Sequence, residues 1–149
     1  MEILSLGEKI KRRRKELGMT LKDLAGDRIT PGQISLVESG KSNPSMDLLE
    51  YLADSLSISI EYLMESEETQ AEKICAYYEN ICESHILSNQ LNLAEQYVEN
   101  AILYGEKYGL EYRKAKNLYL RGEIYTLKKE LGLAQQFFLS AKDRKSTRL

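Results

Sequence analysis

An all-α fold is predicted by three observations. The 149-residue chain contains only two prolines, and 42% of it is apolar. Apolar residues recur three and four apart over most of its length, the spacing of a helix face. Thr20, Thr30, Ser45 and Ser59 each stand immediately ahead of such a run, where an N-cap belongs.

Taken in order, Leu6, Ile10 and Leu17 predict a first helix over residues 5–17, ended by Gly18. Thr20 opens a second, short helix with Leu21, Leu24 and Ala25 as its apolar positions. Gly26 to Ile29 make a turn. Thr30 then caps a third helix, Pro31 suits its first position, and Gln33 closes a capping box three residues after the cap. Gly40 ends it early. In that helix Ile34 and Val37 share the inner face, leaving Thr30, Gln33, Ser35 and Leu36 outside. After the polar turn Lys41 to Pro44, Ser45 caps a fourth helix that buries Met46, Leu49, Leu52, Ala53 and Leu56. Ser59 caps a fifth, carrying Ile60, Leu63 and Met64. Five short helices in about 60 residues make a small but workable core.

Charge is local. Net charge is −2, which argues against a wholly basic nucleic-acid coat. Yet six of the 21 basic residues fall within positions 9–15. A run of this kind is ordinarily a solvated helix face. Arg14 lies one turn past Ile10, beside the inner face, and needs an acidic partner there. Cys75 and Cys82 share a helix face but stand about 10 Å apart along it, too far to bridge each other. Free thiols suit a reducing cytosol, and neither a signal peptide nor an apolar run of about 18 residues is present. The chain is therefore expected to be cytoplasmic, with no membrane partner.

The acidic stretch Glu65 to Thr69 marks a boundary: a first domain at 1–64, a linker at 65–70 and a second domain at 71–149. Eight of the ten tyrosines lie in the second. Leu118, Gly122, Tyr125, Ala134, Phe138 and Ala141 fit tetratricopeptide spacing, with Arg121 where an apolar residue is usual. Tyr78, Ile81, Cys82, His85, Ala94, Val98 and Ala101 repeat the pattern 40 residues earlier, longer than the usual repeat of about 34. Helices are expected at about 69–88, 92–107, 111–128 and 132–142, joined tightly at Asn89-Gln90 and at 129–131. Ala94, Ala101, Gly122, Ala134 and Ala141 allow close helix approach. Residues 142–149 show no capping-helix pattern. Two repeats are fewer than such arrays need, so the chain is expected to be part of a longer array or to close its core as a dimer.

No Gly-rich phosphate loop, nucleophile elbow or paired-carboxylate motif is visible, so neither an enzyme nor a cofactor is expected. His85, with Cys75 and Cys82, lacks finger-type spacing, and a packed histidine is expected rather than a metal ligand.

The run Leu17-Gly18-Met19-Thr20-Leu21-Lys22-Asp23-Leu24-Ala25, followed by Ile34 to Ser45, resembles the Cro/phage-repressor-type (Xre-like) helix-turn-helix. The order and spacing of the blocks carry the likeness over residues 6–64. It implies a five-helix lambda-repressor-like bundle with Thr30–Ser39 as recognition helix in the major groove. It also implies that Arg14 pairs with Glu38 inside the bundle. The chain departs from the pattern in three places. Leu21 stands where a phosphate-binding Gln is frequent. Pro31, Gly32 and Leu36 stand at positions that commonly read bases. The turn before the recognition helix is about one residue short. Base readout is therefore expected from Thr30, Gln33 and Ser35, with Pro31 or Leu36 touching thymine methyls and Gly32 in the same face. Gln33 should discriminate one base pair by roughly 1–3 kcal/mol. Thr20, Lys22, Lys41, Ser42 and Asn43 would position the phosphates.

Such a head followed by tetratricopeptide-like hairpins resembles the RNPP-type peptide-responsive regulators of low-GC Gram-positive bacteria. That resemblance implies a dimer on a pseudo-palindromic duplex, controlled by a signalling peptide or protein in a groove of the repeats. By register, Glu79, Glu83, Ile86, Lys116, Tyr119, Glu123 and Thr126 would face the groove. The rival reading is a repeat scaffold that binds and inhibits a protein partner, with the head accessory.

Overall fold

The computed structural model describes residues 2–128 and 131–148, with side chains described over 2–128 and 135–143. Every regular element among them is an α-helix, and the chain divides into two compact units, Met1–Glu67 and Glu68–Leu149.

The first unit contains α1 (Leu6–Glu16), α2 (Leu21–Ala25), α3 (Pro31–Glu38), α4 (Met46–Leu56) and α5 (Ile60–Met64). Helices this short are marginal alone. Each is opened by a hydroxyl cap: Ser5, Thr20, Thr30, Ser45 and Ser59 all accept a hydrogen bond from the amide three residues on. A cap of this type contributes about 1 kcal/mol. Packing supplies the rest. Ile10, Leu24, Ile34, Val37, Leu49, Leu52, Leu56 and Leu63 form one core.

Three residues expected in that core are not there. Leu17, Met46 and Met64 are 42%, 50% and 50% exposed. Each sits at a helix end, where the apolar stripe runs past the neighbouring helix. Met19 and Leu21 pack against the core from beyond the end of α1.

The basic run of α1 is also more internal than a solvated face. Lys9 is 2% exposed, and its Nζ donates to the carbonyls of Tyr62 at 2.6 Å and Glu65 at 2.8 Å. Arg13 Nε donates to Leu56 O, 2.8 Å away. Two cations of α1 thus satisfy the carbonyl ends of α5 and α4, where positive charge is favoured. Lys11, Arg12 and Lys15 remain on the outer side of α1 with Glu8 and Glu16.

The second unit is built of helical hairpins: α6 (Glu67–Leu87), α7 (Leu91–Lys107), α8 (Glu111–Leu127) and α9 (Leu131–Arg148). Asn89, at φ 59°, turns the chain between α6 and α7, and Gly109, at φ 67°, turns it between α7 and α8. The third join falls at 129–130, outside the described residues. Cys82, Ala94, Val98, Ile102, Leu120 and Ile124 form the core. Gly122 sits against Phe138 so closely that a Cβ there would lie 2.7 Å from the ring. Ala134 is among the side chains not described. Arg121 fits at an apolar repeat position by pairing its Nε with Glu99 at 2.7 Å and laying its guanidinium over Phe137.

Two boundaries move. Only Glu65 and Ser66 separate α5 from α6, so helix begins inside the stretch expected as linker; acidic residues such as Glu67 and Glu68 suit a first turn. The last helix runs to Arg148 rather than stopping near 142. Residues 142–148 lack an apolar stripe, but a helix needs only tolerable propensity to continue. No helix among the described residues is long and apolar enough to cross a membrane.

Candidate functional site

The site is α3 and the turns around it. Its first turn is held by a reciprocal box: Thr30 Oγ1 accepts from the Gln33 amide at 3.1 Å, and Gln33 Oε1 accepts from the Thr30 amide at 2.9 Å. Ile34 and Val37 are buried, and Gly40 at φ 78° ends the helix. Thr30, Pro31, Gly32, Gln33, Ser35 and Leu36 are all exposed on the other side. Thr20 and Lys22 at the start of α2, and Lys41, Ser42 and Asn43 after α3, are exposed as well.

Two contacts fix α3 on α1. Arg14 Nε and Nη2 donate to the two carboxylate oxygens of Glu38 at 2.7 and 3.0 Å, while Nη1 donates to Met19 O at 3.0 Å. The side chains of the pair are 12% and 7% exposed. The Glu38 hydrogen bond holds the Arg14 guanidinium above its ordinary pKa. At the other end, Gly7 lies against the end of α3; a Cβ on it would stand 2.3 Å from Glu38 O. Gly7 carried no signal in the sequence, because a mid-run glycine looks the same whether or not a helix lies against it.

The box on α3 limits what Gln33 can do. Bidentate reading of adenine needs both the oxygen and the amide nitrogen of a Gln. Here the oxygen already serves Thr30. Asp23, three residues after Thr20 as Gln33 is after Thr30, closes a matching box on α2: its carboxylate accepts from the Thr20 amide at 2.9 Å. That hydrogen bond holds the Asp23 carboxyl below its usual range. A negative charge thus stands at the end of α2 where a phosphate would otherwise be favoured. Residues 1–67 carry nine basic and twelve acidic side chains. Three of the nine cations (Lys9, Arg13 and Arg14) are spent inside the bundle. The exposed cations that flank α3 in the chain are Lys22, Lys41 and Arg28. The last was missed by sequence reasoning; its guanidinium lies over the Tyr51 ring, 5.4 Å from the centroid. Tyr51 OH in turn donates to Leu24 O and Ala25 O at 2.8 and 3.2 Å.

On the hairpins, one candidate is overturned. Glu79 is fully buried, not groove-facing. Arg113 Nη1 donates to it at 2.9 Å, and Lys116 Nζ lies 3.6 Å from the same oxygen. Burial pushes its carboxyl pKa up, against the pull of Arg113 and Lys116. Repeat register places a side chain on a face but cannot show that α8 supplies two cations to that face. Lys116 also reaches Glu83 at 3.5 Å. Glu83, Ile86 and Glu123 come together with Leu87 and Leu120 around a pocket of about 250 Å³. Tyr119 instead contacts Phe138, at 5.5 Å between ring centroids, and Thr126 Oγ1 donates to Gly122 O at 2.9 Å. His85 stacks on Tyr97 at 5.3 Å and bonds Gln90 through Nδ1 at 2.7 Å. Both cysteines are buried and free, and burial pushes Cys75 up to about 11 and Cys82 to about 12.

Residues 10–63 match the helix-turn-helix family model. The match spans Ile10 to Leu63, and so takes in α2, α3 and the Arg14–Glu38 pair. Among curated proteins, the HTH-type transcriptional regulator DdrOP3 of Deinococcus deserti is 36% identical over 66 residues, 44% of this chain and 51% of that protein. The chain therefore spans about half the length of the curated relative it matches. Among solved structures, the Bacillus thuringiensis protein PlcR, crystallised with the peptide PapR7 and DNA, is 22% identical. The superposition covers 92% of this chain and 63% of PlcR, at a TM-score of 0.42.

Proposed function

We propose that this chain is a cytoplasmic, sequence-specific DNA-binding transcriptional regulator acting as a homodimer on a pseudo-palindromic duplex. The observation that carries the reading is α3 itself. It is a capped helix that buries one edge, is clamped to α1 by Arg14 and Glu38, and leaves its other face unoccupied within a segment matching the helix-turn-helix model. In this reading α3 enters the major groove. Pro31, Gly32, Ser35 and Leu36 meet the bases, while Thr30 and Gln33 hold the first turn in shape. Lys22, Arg28, Lys41, Ser42 and Asn43 approach phosphates, while Thr20 is held by its box with Asp23.

The second unit would carry control. A peptide or protein partner would occupy the hairpins at the pocket of Glu83, Ile86 and Glu123, with Lys116, Tyr119 and Thr126 flanking it. Glu79 leaves this set and becomes structural.

Selection of random duplexes with the full chain tests the proposal. An enriched two-fold symmetric motif is expected. With three exposed cations per subunit flanking α3 in the chain, affinity should fall with salt at a log–log slope of about −5 for a dimer. A library that emerges unenriched would sink the reading.

A further inference from the structure

We infer that Tyr51, on α4, sets the angle between α2 and α3 and so governs how well the first unit tells one DNA sequence from another. The inference rests on the DNA-binding reading above and adds a positioning residue, one that acts through the turn rather than on the bases. Gly26 to Ile29 join the end of α2 to the Thr30 cap of α3. A helix as short as α2 leaves its last carbonyls without helical partners, so donors must come from elsewhere. One comes from a different helix. Tyr51 OH donates to Leu24 O at 2.8 Å and lies 3.2 Å from Ala25 O. The Arg28 and Ile29 amides donate to the same Ala25 O, at 3.1 and 3.4 Å. The phenol therefore joins the carbonyl on which the turn folds.

The turn is shaped to take that hydroxyl. A Cβ on Gly26 would lie 2.8 Å from the phenol oxygen, and Gly26 stands at φ 53°. Arg28 closes over the other part of the side chain, with its guanidinium 5.4 Å from the ring centroid. One residue of α4 is thus held by the turn and holds the end of α2. The other polar contacts near the site do something different. The Arg14–Glu38 pair fixes α3 on α1, and the Thr20–Asp23 and Thr30–Gln33 boxes shape the first turns of α2 and α3. None of those three ties the end of α2 to another helix; Tyr51 does. In a helix-turn-helix the first helix crosses the backbone while the second lies in the major groove. Both must seat at once for a specific complex, so the angle between them matters there. Sequence-independent binding rests on cations and released counterions, and does not depend on that angle.

The test uses the full chain, the duplex obtained by selection and an unrelated duplex of the same length. Tyr51→Phe removes the hydroxyl and keeps the ring under Arg28. Binding to the selected duplex should weaken by about fivefold or more, the order of one hydrogen bond. Binding to the unrelated duplex, and the salt dependence, should stay as they were, since no cation is lost. In the free protein, exchange of the Arg28 and Ile29 amides should quicken while that of α1 holds. Lys22→Gln gives the contrast: it should weaken both duplexes alike and flatten the salt dependence. A Tyr51→Phe chain whose preference between the two duplexes stays within about twofold of the parent's overturns the inference while DNA binding stands. Equal weakening on both duplexes also overturns it, and makes Tyr51 a purely structural residue. So does unchanged exchange at Arg28 and Ile29. If selection enriches no duplex, this inference and the DNA-binding reading fall together.

Discussion

Replacing Glu38 by Gln tests how α3 is held. The substitution keeps the shape of the side chain and removes its charge. Arg14 retains its bond to Met19 O but loses two charge-assisted bonds, at 2.7 and 3.0 Å. Breaking a buried pair by removing one partner costs roughly 3–5 kcal/mol, because the other charge is left without compensation. Arg14 keeps 12% of its side chain in solvent, and an amide oxygen can still accept one N–H, so a loss of about 3 kcal/mol is expected. A unit of this size holds only roughly 3–10 kcal/mol in total. Hydrogen exchange on the full chain, followed peptide by peptide, reads the effect locally. Amides of α1 and α3 should lose on the order of 100-fold in protection, while those of α7 and α8 stay unchanged. The double variant Arg14→Met, Glu38→Leu should recover most of the loss, since an apolar pair needs no compensation. A change under fivefold in Glu38→Gln, or a double variant as poor as the two single losses added, would refute the argument.

Three further outcomes are expected. Gly7→Ala forces a methyl into Glu38 O, and should cost at least the roughly 1–3 kcal/mol typical of overpacking, with loss of DNA binding because α3 must move; urea denaturation and binding assays read both. The buried thiols Cys75 and Cys82, held near 11 and 12, should stay unreactive toward an aromatic disulfide at pH 8 until the second unit unfolds, and prompt labelling of the native chain would contradict this. Glu95 is held below the usual carboxylate range, first by the Lys128 hydrogen bond and then by that of Tyr125. Its folded pKa is depressed, so its contribution is present above the unfolded value near 4.3 and fades as pH falls through the folded one. Glu95→Gln should therefore cost up to about 1 kcal/mol at pH 7 and almost nothing near pH 2, as thermal melts across that range would show.

What the sequence makes legible is local chemistry. Thr20, Thr30, Ser45 and Ser59 act three residues away, within the reach of a pattern, and the hairpin helices begin within two residues of their expected starts. Long-range pairings are not legible in that way. Lys9 serves carbonyls 53 and 56 residues away, Arg13 one 43 residues away, and Glu79 finds Arg113 34 residues on. Nothing in composition marks these partners, so Lys9 reads as solvated and Glu79 as groove-facing. Arg14 and Glu38, 24 residues apart, meet where only the family resemblance had put them together. Gln33 shows a different limit. Its spacing from Thr30 fits a cap and its position fits a reader, and pattern alone cannot rank two uses of one oxygen. Leu17, Met46 and Met64 fail for a geometric reason, since periodicity does not say where a helix outruns its neighbour.

The most direct test of α3 as the reading element is site-specific photocrosslinking on the selected duplex. A photoreactive residue in place of Ser35 should attach to bases inside the enriched motif, and one in place of Glu61, on α5, should not. Crosslinks from position 61 with none from position 35 would contradict the account.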